Sequence, residues 1–129
     1  MILLDTHVLV WLVAEPKRLS APARHAIASS RDGLAVADIT LWELAVLFSR
    51  GHLRAHGTVE GSVRLITESA GASIKAITPE IASLAAQFPD DYPRGPADRL
   101  IGATARAEGI PLVTRDAAIR ASKLVKTIW

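Results

Sequence analysis

The sequence predicts an α/β fold, a three-layer α/β/α sandwich around a central, mainly parallel sheet of about five strands. Short apolar runs of strand length alternate along the chain with longer segments that carry helix start and stop signals. Half of the 129 residues are apolar and the mean hydropathy is +0.26, which is enough apolar material for a buried core. No repeat, low-complexity tract or linker divides the sequence, so we expect a single domain over residues 1–129.

The predicted strands are short apolar runs between helical segments. The first is Ile2-Leu3-Leu4, which is too short for a helix and is typical of a buried strand. Because helical crossovers connect neighbouring parallel strands, this alternation places the carboxyl ends of the strands at one edge of the sheet. The predicted strands are residues 2–4, 34–36, 74–77 and 112–113, with a fifth at residues 125–128.

Most predicted helices have a recognisable signal at one end. Ser20 is a candidate N-cap with Pro22 in the first turn, and Thr78-Pro79-Glu80 combines a cap, a proline and a first-turn acid. Gly51 and Gly109 follow helical segments and are expected to end them. The predicted helices are residues 6–14, a segment after Ser20, residues 39–50, residues 58–70, a segment from Thr78, residues 96–108 and residues 116–121, with a longer loop at residues 89–96.

The sequence also excludes several classes of protein and site. There is no cysteine, so disulfides and thiolate metal sites are ruled out. Neither phosphate-binding glycine motif, GxxxxGK[ST] or GxGxxG, occurs, and the histidines lack the HExxH spacing of zinc proteases. The first seven residues do not resemble a signal peptide, and the apolar run 8–14 is too short to cross a bilayer. We therefore expect a cytoplasmic protein that does not associate with membranes.

Four acidic residues fall where a parallel sheet would bring them to one edge. Asp5 follows the first predicted strand, and Asp116 comes two residues after Thr114 at the end of the fourth. Glu43 and Asp98 lie near the starts of two predicted helices, and helix starts share an edge with strand ends in such sheets. Converging carboxylates repel one another, and a hard divalent cation such as Mg²⁺ or Mn²⁺ would relieve that repulsion. The pattern therefore favours a metal-binding carboxylate cluster.

Helix capping explains each acid separately, and this alternative stays open on the sequence alone. Acids near helix starts are favoured by the helix dipole and by free N–H groups. Thr40-Leu41-Trp42-Glu43 matches the capping box, with threonine at the N-cap and glutamate at N3. Glu43 is, however, the only charged residue between Ile39 and Ser49, in a helix with almost no polar face. Its carboxylate needs a partner, which a cap supplies only in part.

Four short motifs, in this order, give the chain a resemblance to a known family. The sequence resembles PIN-domain ribonucleases, specifically the VapC-type toxins of bacterial type II toxin–antitoxin pairs. The resemblance covers essentially the whole chain, and the motifs are fairly specific when they are taken together. They are Leu4-Asp5-Thr6-His7, Leu41-Trp42-Glu43-Leu44, Pro96-Ala97-Asp98-Arg99-Leu100-Ile101 and Leu112-Val113-Thr114-Arg115-Asp116.

This resemblance implies a PIN-like fold and a Mg²⁺- or Mn²⁺-dependent endoribonuclease, which cleaves RNA phosphodiesters with a metal-activated water. It also implies a cognate VapB-like antitoxin and a homodimer. Many relatives carry an aspartate directly before the proline of the Pro-x-Asp-Arg motif, where this chain has Gly95, so a second metal ion is less expected. On the resemblance, the catalytic and metal-binding residues are Asp5, Glu43, Asp98 and Asp116, supported by Thr6 and Thr114.

Charge and apolarity are distributed in ways that suggest partners. Residues 94–129 carry seven Lys or Arg and three Asp or Glu, whereas the whole chain has a net charge of only +2. A basic region suits a polyanion such as RNA, although solvated helix surfaces explain the same pattern. Arg99 and Arg115 flank the acids and would contact RNA phosphates or form salt bridges across the site. Helical segments 8–13 and 41–48 are apolar nearly all round, which favours a dimer.

The competing interpretation is a non-catalytic PIN-like module that binds RNA or a protein. Retention of all four acids argues against it. A receiver domain needs a phosphoacceptor aspartate after the third strand, where this chain has Thr78-Pro79. A phosphatase of the haloacid dehalogenase type needs a second aspartate two residues after the first, and Asp5-Thr6-His7 lacks it.

Overall fold

A computed structural model describes residues 1–129 and contains one sheet of five strands. The strands are β1 (Ile2–Leu4), β2 (Leu34–Ala37), β3 (Ala72–Lys75), β4 (Leu112–Val113) and β5 (Thr127–Ile128). Their order in the sheet is β3-β2-β1-β4-β5, and every neighbouring pair is parallel. The predicted α/β fold is therefore confirmed, with a sheet that is parallel throughout and has β1 at its centre.

Seven α-helices connect the strands, and two of them begin at the predicted caps, Ser20 and Thr78. The side chains of Ser20, Thr58 and Thr78 each accept a hydrogen bond from the backbone N–H three residues later. A 3₁₀ turn at Pro16–Arg18 follows the first helix. None of the helices has the length and apolarity needed to cross a bilayer. The helices are α1 (Thr6–Ala14), α2 (Ala21–Ser29), α3 (Ile39–Ser49), α4 (Val59–Ala70), α5 (Pro79–Gln87), α6 (Pro96–Glu108) and α7 (Ala117–Ala121).

The helices cover both faces of the sheet and create two apolar cores. Successive strand residues point to opposite faces, so Leu3 and Leu4, both 0% exposed, belong to different cores. The core that includes Leu4 contains side chains of α1, α2, α3 and α4. The core that includes Leu3 contains side chains of α5, α6 and α7. Because β1 is buried on both faces, its carboxyl end is held firmly at the centre of one sheet edge.

Two predicted strand boundaries are wrong. β3 covers Ala72–Lys75 and not residues 74–77, because pairing with β2 begins directly after Gly71 ends α4 in the left-handed conformation. Ile74 and Ile77 are 49% and 42% exposed, so their apolarity does not mark the paired segment of this edge strand. β5 covers only Thr127–Ile128 of the predicted residues 125–128, because its partner β4 offers just two residues for pairing.

The loop between α5 and α6 is held in place by Arg99. One guanidinium nitrogen donates to the carbonyl of Phe88 at 2.6 Å, and the other donates to the carbonyl of Pro89 at 3.1 Å. The buried ring of Tyr92 packs so closely on Gly102 that an added Cβ would lie 2.9 Å from its Cζ atom. Arg99 thus joins the start of α6 to the preceding loop. The sequence predicts that Arg99 contacts RNA phosphates or forms salt bridges across the site. Its hydrogen bonds to loop carbonyls support neither role.

Replacing Arg99 with lysine should lower the free energy of unfolding by about 1–3 kcal/mol, because a single ammonium group cannot serve the same carbonyl oxygens. Urea unfolding of the wild type and of Arg99→Lys measures this difference. Arg94→Lys, at an exposed position of the same loop, is the matched control and should change stability little. Equal stabilities of the two variants would contradict the loop-holding role of Arg99.

Candidate functional site

Asp5 ends the central strand and is held at the sheet edge by three hydrogen bonds. Its backbone N–H continues the ladder to the carbonyl of Val113 at 3.0 Å. One carboxylate oxygen accepts from the Thr6 backbone N–H at 2.9 Å, and the other accepts from the Thr114 hydroxyl at 2.7 Å. Asp5 therefore caps α1, as the capping alternative expects, yet it also contacts a residue at the end of β4. The residue is only 5% exposed, so its carboxylate is a buried charge at this edge.

Glu43 is joined to α1 by a chain of hydroxyl groups. The Thr6 hydroxyl donates to Glu43 Oε1 at 2.6 Å, and the Thr40 hydroxyl lies 3.0 Å from the Thr6 hydroxyl. Because Thr6 has one hydroxyl hydrogen and gives it to Glu43, Thr40 is the donor to Thr6. The predicted capping box is wrong, because the N-cap of α3 is Asp38 and Thr40 lies inside the helix. Thr6 and Thr40 serve instead to hold the carboxylate of Glu43.

Thr114 links Asp116 to Asp5. The backbone N–H of Asp116 donates to the Thr114 hydroxyl at 3.1 Å, while that hydroxyl donates to Asp5. The carboxylate of Asp116 accepts from the Ile119 backbone N–H at 3.0 Å and so caps α7. Thr114 is 0% exposed, which keeps this link free of competing water. Thr114 thus lies between two of the acids, and its predicted supporting role stays a prediction.

Asp98 has the most perturbed carboxylate of the four. It lies in the first turn of α6, and its carboxylate receives no hydrogen bond in this structure. Burial raises its pKa to about 6, and the negative charges of Asp5, Glu43 and Asp116 contribute to that shift. A Cβ at Gly95 would lie 3.1 Å from Asp98 Oδ2, so the missing side chain leaves space beside this carboxylate. Asp5, Glu43 and Asp116 are therefore close enough to affect the ionisation of Asp98.

Burial also raises the pKa of Glu43, and the charge of Asp5 acts in the same direction, while the hydrogen bond from Thr6 opposes the shift. No Lys or Arg side chain comes within 4.0 Å of Asp5, Glu43, Asp98 or Asp116, so neither kind of side chain neutralises the cluster. Cluster carboxylates with raised pKa values and no basic partner fit a hard cation in charge and in ligand type. No three acidic or histidine side chains of the chain approach closely enough to form a closed ligand set. The metal-binding roles of the four acids therefore stay predictions.

Two further side chains at this edge were not predicted. Half-buried His7 accepts a hydrogen bond at Nε2 from the Arg115 backbone N–H at 3.0 Å, and its Nδ1 lies 3.7 Å from Asp5 Oδ2. Burial lowers the pKa of His7; the charges of Asp5 and Asp116 oppose this shift, and that of Arg115 adds to it. His7 belongs to the motif Leu4-Asp5-Thr6-His7, and its position two residues after Asp5 is the sequence signal that could have identified it.

Tyr92 is the second unpredicted residue, and it is the only tyrosine of the chain. Its hydroxyl donates to the backbone carbonyl of Asp98 at 3.3 Å, and the residue is 1% exposed. Burial raises its pKa, and the charges of Asp5, Asp98 and Asp116 add to the effect. Tyr92 therefore supports the start of α6 from beneath the acids. No sequence pattern singles it out, because its partner is a backbone atom.

Arg115 lies at the rim of the same edge. Its side chain is exposed, and its guanidinium carbon lies 5.7 Å from the centre of the Trp11 ring. The guanidinium makes no hydrogen bond or salt bridge within the chain. The salt bridge proposed for Arg115 is therefore absent, and its contact with a phosphate stays a prediction.

Comparisons with known proteins agree with this arrangement. The sequence profile described as the PIN domain matches residues 2–123. Ribonuclease VapC22 from Mycobacterium tuberculosis is 39% identical over 130 aligned positions, which cover 99% of this chain and 98% of that protein. The match spans all four acids and both supporting threonines.

Solved structures show the same fold at lower sequence identity. VapBC2 from Rickettsia felis, bound to a DNA fragment from its promoter, matches with a TM-score of 0.72 and 18% identity over 98% of this chain and 97% of that chain. A toxin–antitoxin complex from Klebsiella pneumoniae matches with a TM-score of 0.67 and 23% identity over 97% of this chain and 95% of that chain. Together with the profile match over nearly its whole length, these similarities show that the chain belongs to the PIN domain family.

Proposed function

We propose that this protein is a metal-dependent endoribonuclease and the toxin of a VapBC-type toxin–antitoxin pair. The observation that carries the proposal is the carboxylate cluster of Asp5, Glu43, Asp98 and Asp116, which has no Lys or Arg partner within 4.0 Å. A purely structural set of acids would be expected to be neutralised by basic side chains, because uncompensated charge at a partly buried site is costly. The similarity to a ribonuclease over 99% of the chain supports the reaction class.

Different residues of the chain would have different roles in such a reaction. Asp5, Glu43, Asp98 and Asp116 would hold Mg²⁺ or Mn²⁺, and the cation would activate water and offset negative charge on the phosphate. Thr6 fixes one oxygen of Glu43, and Thr114 fixes Asp5 relative to the start of α7. Asp98 keeps both carboxylate oxygens free of internal donors, so it is available to a ligand.

We also propose a VapB-like antitoxin as the partner of this chain, and a single domain over residues 1–129. The solved relatives support the antitoxin, since they are VapBC and other toxin–antitoxin complexes. An unneutralised acid cluster at a sheet edge is also a suitable target for an arginine or lysine inserted by an inhibitor. A small reading frame directly upstream of this gene would be the first candidate to test as inhibitor.

A homodimer is also part of the proposal. Trp42 and Ile74 are 62% and 49% exposed, which is unusual for large apolar side chains. A groove of about 490 Å³ runs between α3, α4 and the edge strand β3, and its apolar wall includes Leu41 and Ile74. Exposed apolar surface of this kind is typical of subunit interfaces.

Asp5→Asn should reduce RNA cleavage by at least about 100-fold, because it removes a charged ligand from a hard cation. Asparagine is as good an N-cap as aspartate, so the fold should survive. Cleavage of a structured RNA with Mg²⁺ or Mn²⁺ measures the loss, and melting temperatures with and without the cation measure metal binding. The exposed Asp90→Asn is the control and should behave as the wild type. Unchanged cleavage and an equal metal-induced shift would show that Asp5 is only a cap.

The metal-free protein should lose stability through Asp98 as the pH rises from about 4 to about 7. The pKa of Asp98 is about 6 in the folded protein and about 4 in an unfolded chain, so the folded state binds the proton more tightly in this range. His7 has a lowered pKa and acts with the opposite sign, because its protonation destabilises the fold as the pH falls. The difference in melting temperature between the wild type and Asp98→Asn isolates the aspartate.

Asp98→Asn should therefore be the more stable protein at pH 7 without metal, and the advantage should shrink towards pH 4. Saturating Mg²⁺ at pH 7 should stabilise the wild type more than the variant. A melting-temperature difference that does not change with pH would contradict the raised pKa of Asp98.

In static light scattering at micromolar concentration, the wild type should be a dimer. Ile74→Lys should be a monomer, because the edge strand and its groove would carry a charge into the interface. Leu65→Lys adds the same charge to another exposed apolar position and should remain a dimer. A monomeric wild type would contradict the proposed homodimer.

A further inference from the structure

Two arginines and a histidine surround one tryptophan beside the acidic cluster. The guanidinium carbons of Arg18 and Arg115 lie 4.4 and 5.7 Å from the centre of the Trp11 ring. The ring centres of His7 and Trp11 are 5.0 Å apart, and those of Trp11 and Trp129 are 5.9 Å apart. The residues come from α1, the 3₁₀ turn, the loop after β4 and the end of the chain. We call these five residues the Trp11 cluster.

The positive charge of the Trp11 cluster is largely uncompensated. Arg115 is exposed, and its guanidinium makes no hydrogen bond or salt bridge in the chain. Arg18 has one partner, the exposed Glu15, at 3.6 Å. An exposed pair of this kind contributes little. Two guanidinium groups therefore share one indole, and Glu15 is the only carboxylate within 4.0 Å of either, so a bound anion would relieve their repulsion.

The Trp11 cluster opens directly onto the carboxylate cluster. A cavity of about 290 Å³ is lined by His7, Trp11, Arg115 and Asp116, and Asp116 is one of the four acids. Trp11 is only 9% exposed, so its ring cannot serve as an open platform for a nucleobase. Both guanidinium groups lie within cation–π distance of its ring. The Arg115 backbone is fixed in turn by its 3.0 Å hydrogen bond to His7.

We propose that Arg18 and Arg115 form a phosphate-binding subsite for the RNA backbone next to the phosphodiester that is cleaved; this rests on the proposed ribonuclease function. The planar guanidinium group binds phosphate oxygens through paired N–H donors. The acidic cluster repels the RNA backbone, so the substrate needs positive charge beside it to remain bound. Trp11 and His7 are positioning residues, because they orient the arginines.

The test measures binding of a short, labelled single-stranded RNA by fluorescence anisotropy between about 50 and 200 mM salt. The protein carries Asp98→Asn, so that the RNA is not cleaved during the titration. Arg18→Gln and Arg115→Gln are compared with Arg50→Gln. Arg50 follows the carboxyl end of α3, which lies at the opposite sheet edge from the acids, and it makes no side-chain contact with an acid. All three variants lose one positive charge.

The plot of log affinity against log salt has a negative slope. Each subsite variant should make this slope shallower by about 0.7, the effect of losing one phosphate contact on a single strand. Arg50→Gln should leave the slope unchanged. With Asp98 restored, Arg115→Gln should raise KM for RNA cleavage and leave kcat nearly unchanged, because the phosphate that it contacts is not the one that reacts. A purely structural role for the two arginines would lower the melting temperature and leave the slope as it is.

Slopes for Arg18→Gln and Arg115→Gln that equal the slope for Arg50→Gln would overturn the subsite. If the wild type still cleaves RNA with metal in that case, the proposed function stands and only the subsite is lost. A wild type that neither cleaves nor binds RNA in the presence of Mg²⁺ or Mn²⁺ would overturn both.

Discussion

The parallel pairing of β1 with β2 and β4 is the constraint on which the rest of the molecule depends. With a neighbour on each side and an apolar core on each face, β1 can end at only one place, and Asp5 follows it there. The same register brings Thr114, at the end of β4, within 2.7 Å of the Asp5 carboxylate. The helices α3 and α6 begin at this edge because parallel strands require crossovers that return to the opposite edge. That topology brings Glu43 and Asp98 to the same edge of the sheet as Asp5 and Asp116.

The acids serve folding and chemistry with the same atoms. Asp5 and Asp116 cap helices, so the capping and the metal-binding interpretations of the sequence are compatible. What capping does not explain is the electrostatic state of the site. A helix cap favours an ionised carboxylate, yet burial and mutual repulsion raise the pKa values of Glu43 and Asp98. No Lys or Arg side chain within 4.0 Å balances that residual charge.

The sequence predicted the sheet architecture and the placement of the acids because both follow from local patterns. Strand and helix alternation fixes the edge, and each acid stands next to a strand end or a helix start. The roles of Arg99 and Tyr92 could not be predicted from local patterns. Both side chains bind backbone carbonyls, and their positions depend on the tertiary packing of the loop between α5 and α6. The capping box at Thr40 failed for a similar reason. Its local pattern was correct, but the Thr40 hydroxyl found a partner 34 residues away, in α1.

The two hydrogen bonds that run from Thr40 through Thr6 to Glu43 are donated in the same direction, and that direction can be reversed. With Glu43 ionised, each hydroxyl donates towards the carboxylate. When Glu43 takes up a proton, the acid becomes the donor to Thr6, and Thr6 turns its hydrogen towards Thr40. The contact between α1 and α3 is kept in either sense, so Glu43 can gain or lose a proton without breaking the Thr6–Thr40 hydrogen bond. The helix interface is in this way insulated from changes of charge at the edge that it supports.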